Sequence, residues 1–213
     1  GNGIDANAFN PAKVVPHPEL DGTPGPHFVF TGQMDYRPNE AAALWALERF
    51  LPVARERWAE AQVHIVGRNP TSALKAHGQT PGARIWGEVP DVRPFLSGAS
   101  CVIAPLQIAR GVQNKVLEAM AMARPVLLTP GAATGIEARD GKHWMGEGAD
   151  PAAWIERYDT LQADYDAVET IGQSAREFVL GHHAWHAMLA PLDELVLPDG
   201  SAQRAGKGSR HAA

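Results

Sequence analysis

A lysine and a glutamate three positions apart, Lys115 and Glu118, are the side chains best placed for binding chemistry. They belong to a segment whose helix is expected to start over residues 112–115, directly after a glycine-bearing loop. The free backbone N–H groups of a helix start attract anions, and an adjacent lysine adds a full positive charge. A carboxylate one turn further along can accept hydrogen bonds from paired hydroxyls, such as those of a ribose. The segment therefore predicts a site for an anionic ligand that carries a diol.

The helix that carries these residues is predicted to pack against a sheet. Its apolar residues recur at three- and four-residue spacing and form one stripe, made of Val112, Val116, Leu117, Met120 and Ala121. It lies between two apolar runs, residues 101–106 and 125–129, which suit buried strands. The order strand, loop, helix, strand places Lys115 and Glu118 above the ends of strands.

Strands and helices alternate along the rest of the chain. Further strands are expected at residues 27–32, 62–67 and 83–89, with a weak one at 143–145. Helices are expected from Pro38 up to Pro52, over 71–77 and 92–98, from Pro151, and over 166–180. Such alternation with short connections predicts an α/β fold, a parallel sheet flanked by helices, whose ligands bind beyond the carboxyl ends of the strands.

Composition excludes several classes of protein. The chain has 213 residues and a formal net charge of −5, and it lacks a lysine- or arginine-rich run, which argues against a nucleic-acid partner. Cys101 is the only cysteine, so neither an intrachain disulfide nor a cysteine metal cluster is expected. No apolar run approaches the roughly 20 residues that span a bilayer, so no membrane span is expected.

Five motifs in order resemble a known family. They are FTGQMDYRPN, HIVG, GEVPDVRPFL, GVQNKVLEAMAMARPVL and GIEARDG. Together they look like the C-terminal, donor-binding half of a group 1 (family 4) GT-B glycosyltransferase. The amino-acid sequence of the fourth motif most resembles the sugar transferases of PEP-CTERM/exosortase systems. The resemblance implies a Rossmann-like domain that binds a nucleoside diphosphate sugar, in an enzyme that retains anomeric configuration and acts in exopolysaccharide or other surface-glycan synthesis.

The resemblance also implies a domain organisation. Residues 1–26 resemble the interdomain linker, 27–180 the Rossmann-like donor domain, and 181–197 the helix that crosses back onto the N-terminal domain. Residues 198–213 are polar and are expected to be disordered. On this interpretation the acceptor domain is a missing partner, the fragment alone is inactive, and the enzyme is cytoplasmic or at the inner face of the membrane.

The family's ribose-binding glutamate falls on Glu118, but the sugar-facing glutamate eight positions earlier falls on Arg110. Arg110 can replace that carboxylate, bind phosphate or pair with an acid, and the sequence favours none of these. The family's basic positions after the first strand hold Gln33 and Asn39, with Arg37 between them. The donor-binding residues expected are Glu118, Lys115, Asn114, Gln113, Val112, Gly111, Arg110, Gly32, Arg37, Gly67, Arg68 and Val89.

Other interpretations remain open. A nucleotide- or anion-binding module that acts by binding alone would need the same helix start, and half of a nucleotide-sugar epimerase would share the two-domain plan. His182, His183 and His186 include an HxxH spacing, but no third ligand is evident, so no metal or other cofactor is expected. The sequence does not identify the base, the sugar or the acceptor.

Overall fold

The computed structural model describes residues 3–185 and contains one six-stranded sheet. The strands are β1 (His27–Thr31), β2 (Gln62–Val66), β3 (Ala83–Gly87), β4 (Cys101–Ala104), β5 (Val126–Leu128) and β6 (Met145–Gly146). All neighbouring strands are parallel, in the order β3-β2-β1-β4-β5-β6. The predicted α/β fold, a Rossmann-like parallel sheet flanked by helices, is therefore confirmed.

The sheet is buried on both faces. Every residue of β1, β4 and β5 is buried, as a parallel sheet covered by helices on either side requires. The chain order reverses between β1 and β4, because β1 leads outward to β2 and β3 while β4 leads outward to β5 and β6. The loops that leave the carboxyl ends of these two central strands diverge and open a crevice between them, the usual ligand position in such sheets.

The helices are α1 (Arg37–Trp45), α2 (Leu51–Arg57), α3 (Ser72–Ala76), α4 (Arg93–Gly98), α5 (Asn114–Ala121), α6 (Pro151–Gln162) and α7 (Tyr165–His182). A π-helical segment, Ala46–Phe50, joins α1 to α2 without a break. The expectation that this helix ends at Pro52 was therefore wrong. Proline cannot donate the usual backbone hydrogen bond, and one π-helical turn just before it lets the helix continue past the missing donor.

Aromatic side chains pack the helices against the sheet and against each other. Phe28 of β1 meets Phe50 edge-on at a centroid distance of 4.8 Å and Tyr158 of α6 at 5.1 Å. Trp154 lies 5.0 Å from Trp45. Helix α6 is thus packed against the long α1 to α2 helix at the C-terminal end of α1.

The segment before β1 packs on the domain. Residues 3–26 contain a short 3-10 helix, Pro11–Lys13, and are otherwise irregular. Arg176 of α7 donates to the carbonyl of Phe9 at 2.8 Å, and Ser97 of α4 donates to that of Val14 at 3.0 Å. These hydrogen bonds tie the lead-in to two helices of the domain.

Two sequence expectations fall outside the described residues. The helix expected over 181–197 does so from residue 186 onward, and the tail 198–213 does so completely. Across the described part of the chain, no helix combines the length and the hydropathy needed to cross a membrane.

Candidate functional site

A cavity of about 680 Å³ opens at the crevice where the chain order reverses. Most of the residues expected to bind a donor line it: Gly32, Gly67, Arg68, Val89, Val112, Gln113, Asn114, Lys115 and Glu118. They come from four separate loops and from the start of α5. The topology of the sheet therefore assembles residues that are far apart in sequence; we refer to this space as the switch-point cavity.

Two glycines let the backbone close around the cavity floor. A Cβ atom on Gly67 would lie 1.6 Å from the carbonyl oxygen of Gly32, so no other residue fits there without a backbone shift. A Cβ atom on Gly32 would lie 2.9 Å from Asn39 Nδ2 and 3.0 Å from Lys115 Nζ. The loops after β1 and β2 thus touch each other, and the backbone contact requires a glycine at position 67.

Lys115 is half-buried at the start of α5, with its amine held over the floor of the cavity. Its Nζ donates to Asn39 Oδ1 at 2.5 Å and lies 4.6 Å from the centroid of the Phe30 ring. Burial lowers the pKa of Lys115 to about 8, partly offset by the attraction of Glu118. No carboxylate forms an ion pair with this amine among residues 3–185. A buried cation of this kind gains most from an anionic ligand.

Glu118 lies one turn beyond Lys115 on the same face of α5 and lines the cavity. Within the described residues its carboxylate accepts no hydrogen bond, and burial raises its pKa while Lys115 opposes that rise. The opposite face of the helix carries Val116, Leu117 and Met120 into the core. The helix is therefore fixed by its apolar stripe, and the carboxylate is left with its acceptor capacity unused.

Two polar residues of the cavity are not predicted from the sequence. Thr31, the last residue of β1, lines it with a buried hydroxyl that has no hydrogen-bond partner within residues 3–185. Asn39, noted only as a departure from the family, is buried and bridges Lys115 to the carbonyl of Gln33, to which its Nδ2 donates at 2.9 Å. The position of Thr31 before Gly32, at a strand end, was the available signal.

Helix α5 begins at Asn114, so the expectation of a first turn over 112–115 placed the start two residues too early. Gln113 precedes the helix in an extended conformation, and its side chain does not cap it. Instead, its Nε2 donates to the carbonyls of Gly111 at 3.0 Å and Arg110 at 3.4 Å. This side chain closes the loop before the helix, which explains why the loop, rather than the helix, covers residues 110–113.

Three of the expected donor residues lie elsewhere. Arg37 and Arg110 line a second cavity of about 680 Å³, and Gly111 lines neither of these two cavities. Arg68 does line the switch-point cavity, where its Nη2 donates to Gln33 Oε1 at 2.7 Å. The structure therefore separates the basic residues into one set near Lys115 and another set at Arg37 and Arg110.

No group of three or more His, Cys, Asp or Glu side chains that could hold a metal occurs among residues 3–185. Within that range the charges facing the switch-point cavity belong to Lys115, Arg68, Glu118 and Glu88. This arrangement can hold an anion at the amine and accept hydrogen bonds at the carboxylate.

Solved structures of similar fold include a glycosyltransferase from Rickettsia africae, with a TM-score of 0.67 and 17% identity over 91% of this chain and 55% of that one. Anabaena HepE in complex with UDP and glucose has a TM-score of 0.71 and 12% identity, over 92% of this chain and 55% of HepE. The C-terminal domain of LpcC from Francisella tularensis has a TM-score of 0.60 and 16% identity, over 86% of this chain and 100% of that domain.

This chain thus spans about half the length of the first two of these proteins, and all of the isolated LpcC domain. None of the curated proteins matches its sequence. A family model described as glycosyl transferases group 1 matches residues 25–164, which is more than half of the chain and includes the whole switch-point cavity. The chain belongs to the group 1 glycosyl transferases.

Proposed function

We propose that this chain is the donor-binding domain of a retaining glycosyltransferase that moves a sugar from a nucleoside diphosphate sugar to an acceptor in exopolysaccharide or other surface-glycan synthesis. One observation carries the proposal. The switch-point cavity gathers an amine without an ion-pair partner, a carboxylate without a hydrogen-bond donor and a buried hydroxyl without a partner, within the described residues. These groups complement a diphosphate and a ribose.

The diphosphate is assigned to the region of Lys115. Transferring a buried amine from water is costly, and burial accordingly lowers its pKa toward neutrality. A diphosphate in the cavity restores a counter-charge, so the attraction is stronger there than at an exposed lysine. Arg68 adds a second positive charge to the lining of the cavity, and the Thr31 hydroxyl can donate to a phosphate oxygen.

The ribose is assigned to Glu118. A carboxylate accepts hydrogen bonds through both oxygens, and a vicinal diol offers two donors at matching spacing. The carboxylate lies one helical turn from the amine, so a single nucleotide reaches both. The complex of Anabaena HepE with UDP and glucose, a neighbour in fold, supports the choice of a nucleoside diphosphate as ligand.

In the transfer step this domain stabilises the leaving diphosphate. The bond from the anomeric carbon to the diphosphate oxygen breaks, and charge develops on that oxygen, where the Lys115 ammonium attracts it. The acceptor oxygen then bonds to the anomeric carbon on the same face of the sugar, with retention, and its proton passes to the departing diphosphate oxygen. We assign the acceptor site to a second domain, since this chain spans about half of the Rickettsia and Anabaena proteins, and we expect this domain alone to transfer no sugar.

The test begins with calorimetric titration of UDP, GDP, ADP and dTDP into the chain, followed by the preferred diphosphate and its bare nucleoside with two variants. Glu118→Ala removes charge-assisted hydrogen bonds worth roughly 1.5–3 kcal/mol, so both ligands should bind about ten- to a hundredfold more weakly. Lys115→Ala should weaken the diphosphate and leave the nucleoside nearly unchanged, because the amine faces phosphate.

Glu177→Ala is the matched control, since it removes an exposed glutamate from α7, outside the cavity. It should bind both ligands as the wild type does, and circular dichroism should show all three variants folded. Wild-type affinity in Glu118→Ala would exclude the ribose contact, and the absence of binding to every diphosphate would refute the proposed function.

A further inference from the structure

A second cavity, also of about 680 Å³, lies beside the switch-point cavity. The two share Tyr36 in their walls, so they adjoin across the loop that follows β1. The wall of the second cavity is mostly apolar and includes Pro38 and Ile108. Tyr36 and Ile108 are well exposed for their type, with 54% and 70% of their surface accessible. This space can therefore receive the group that a bound nucleotide carries on its second phosphate.

The charge in this second cavity is positive. Arg37 and Arg110 line it, and neither guanidinium group has an ion pair or a side-chain hydrogen bond within residues 3–185. Asp35 is the acidic residue of the lining, but Asn69 donates to its carboxylate at 3.0 Å. Hydrogen bonds from Gln33 and Asn69 hold the pKa of Asp35 below its ordinary value. The two guanidinium groups, both on exposed residues, therefore have no side-chain partner in the described part of the chain.

The position of Arg110 is fixed by its loop. Gln113, which lines the switch-point cavity, donates to the carbonyls of Arg110 and Gly111. The switch-point cavity and Arg110 are therefore linked through the side chain of Gln113. A ligand that fills the first cavity meets Arg110 as soon as it extends past this loop.

A neutral hexose has only hydroxyls to offer two unpaired guanidinium groups, whereas a carboxylate accepts two parallel hydrogen bonds from a single one. The apolar wall and Tyr36 suit the carbon-bound face of a sugar ring. Building on the proposed function, we infer that the second cavity holds the donor sugar and selects one that carries a carboxylate. The donor is then a nucleoside diphosphate hexuronate, and Arg110 is the residue that determines this specificity.

The experiment compares donors that share base and diphosphate and differ only in the sugar carboxylate. UDP-glucose and UDP-glucuronate form one such pair, and GDP-mannose and GDP-mannuronate form another. Each pair is titrated calorimetrically into the wild-type chain, Arg110→Gln and Arg110→Lys, alongside UDP and GDP alone. Arg49→Gln, which removes an exposed arginine outside both cavities, is the matched control.

We expect the wild type and Arg49→Gln to bind the hexuronate donor about tenfold or more tightly than the hexose donor. Arg110→Gln should bring the two donors to equal affinity and leave the affinity for the bare diphosphate unchanged. Arg110→Lys should keep part of the preference, because it retains the charge and loses the paired geometry.

Equal affinity of hexose and hexuronate donors in the wild type would overturn the inference. So would an Arg110→Gln variant that weakens diphosphate, hexose and hexuronate by the same factor, because Arg110 would then contact the diphosphate. In both cases diphosphate binding by the wild type leaves the proposed function standing. If neither diphosphate binds, the proposed function fails and this inference fails with it.

Discussion

Two groups of polar side chains lie against the sheet, and they differ in how far their hydrogen-bonding capacity is used. The histidine cluster, formed by Thr23, His27, His64 and Trp86, lies along β1 to β3. The site cluster, formed by Thr31, Asn39, Lys115 and Glu118, lies at the crevice between β1 and β4. Both contain ionisable groups, and the site cluster lines a cavity of the size of a ligand.

The histidine cluster is a closed chain of donors and acceptors. Trp86 Nε1 donates to His64 Nδ1 at 3.1 Å, which assigns the proton of neutral His64 to Nε2. That atom lies 3.0 Å from His27 Nδ1 and donates to it. His27 Nε2 then donates to Thr23 Oγ1 at 3.0 Å, while the Thr23 hydroxyl donates to the carbonyl of Glu19 at 2.8 Å. Each of these polar groups of the histidine cluster therefore has a hydrogen-bond partner.

The site cluster, in contrast, contains polar groups whose hydrogen-bonding or ion-pairing capacity is unused within the described residues. The Thr31 hydroxyl has no partner within the described residues, and Glu118 accepts no hydrogen bond there. The amine of Lys115 donates to an amide oxygen and makes no ion pair in that part of the chain. A closed polar network stabilises the fold, whereas an open one costs stability that a ligand can recover. Burial of polar groups alone therefore does not mark a site.

The largest expected effect is on the free energy of unfolding, measured after one substitution in each cluster. His64→Ala leaves the Trp86 N–H and His27 without partners in a buried place and opens a cavity, so the free energy of unfolding should fall by about 3 kcal/mol. Lys115→Met keeps the apolar stem and removes a desolvated charge, which offsets the lost hydrogen bond to Asn39, so stability should change by no more than about 0.5 kcal/mol. Urea unfolding followed by circular dichroism measures both.

His182→Ala serves as the control for loss of an imidazole, because His182 is exposed at the end of α7. It should cost no more than about 0.5 kcal/mol. Equal losses in His64→Ala and Lys115→Met would show that the site cluster contributes to stability as much as the histidine cluster does.

The sequence predicted those features of the fold that depend on local periodicity. The spacing of Val116, Leu117 and Met120 indicated which face of α5 is buried, and these residues are buried. Parallel order followed from the alternation of strands with helices. The π-helical turn before Pro52 was missed, because a pattern of apolar residues continues through a helix whether its turns are regular or widened.

The candidate site was predicted in part. Lys115 was predicted from its place at a helix start, and Glu118 from its place one turn further along and in the motif that resembles the family. The contact of Lys115 with Asn39 joins residues 76 positions apart, and no local pattern encodes it. The same limit applies to His64 and Trp86, 22 positions apart, which were predicted only as parts of two strands. The placement of Arg110 in a separate cavity depends on a loop closed by Gln113.

The second effect concerns acid stability. Burial lowers the pKa of His64 to about 3, and electrostatic interactions with His27, Arg84 and His17 act in the same direction. The unfolded chain takes up this proton near pH 6.5, so the contribution is fully present above that pH and is lost as pH falls toward 3. At about 1.4 kcal/mol per pH unit, the folded state should lose roughly 2 kcal/mol through His64 by pH 5.

Urea unfolding at pH 7.5, 6 and 5 in the wild type and in His64→Asn measures how much of the pH dependence of stability comes from His64. Asparagine can still donate and accept hydrogen bonds but does not titrate, so the variant should lose less stability between pH 7.5 and pH 5. Identical pH slopes in the two proteins would mean that His64 takes up its proton in the folded state, and the cluster would not be closed.

The smallest effect concerns the site cluster at alkaline pH. The pKa of Lys115 lies near 8 in the free protein, and a bound diphosphate stabilises the ammonium and raises that pKa. The contribution of Lys115 to affinity is therefore fully present below pH 8 and falls by up to tenfold for each pH unit above it, or about 1.4 kcal/mol. Calorimetric titration of the preferred diphosphate at pH 7, 8 and 9 should show this loss in the wild type. Lys115→Met should bind more weakly and with little change over the same range. A wild-type affinity that stays constant to pH 9 would mean that no diphosphate approaches this amine, and the open cluster would then need a different ligand.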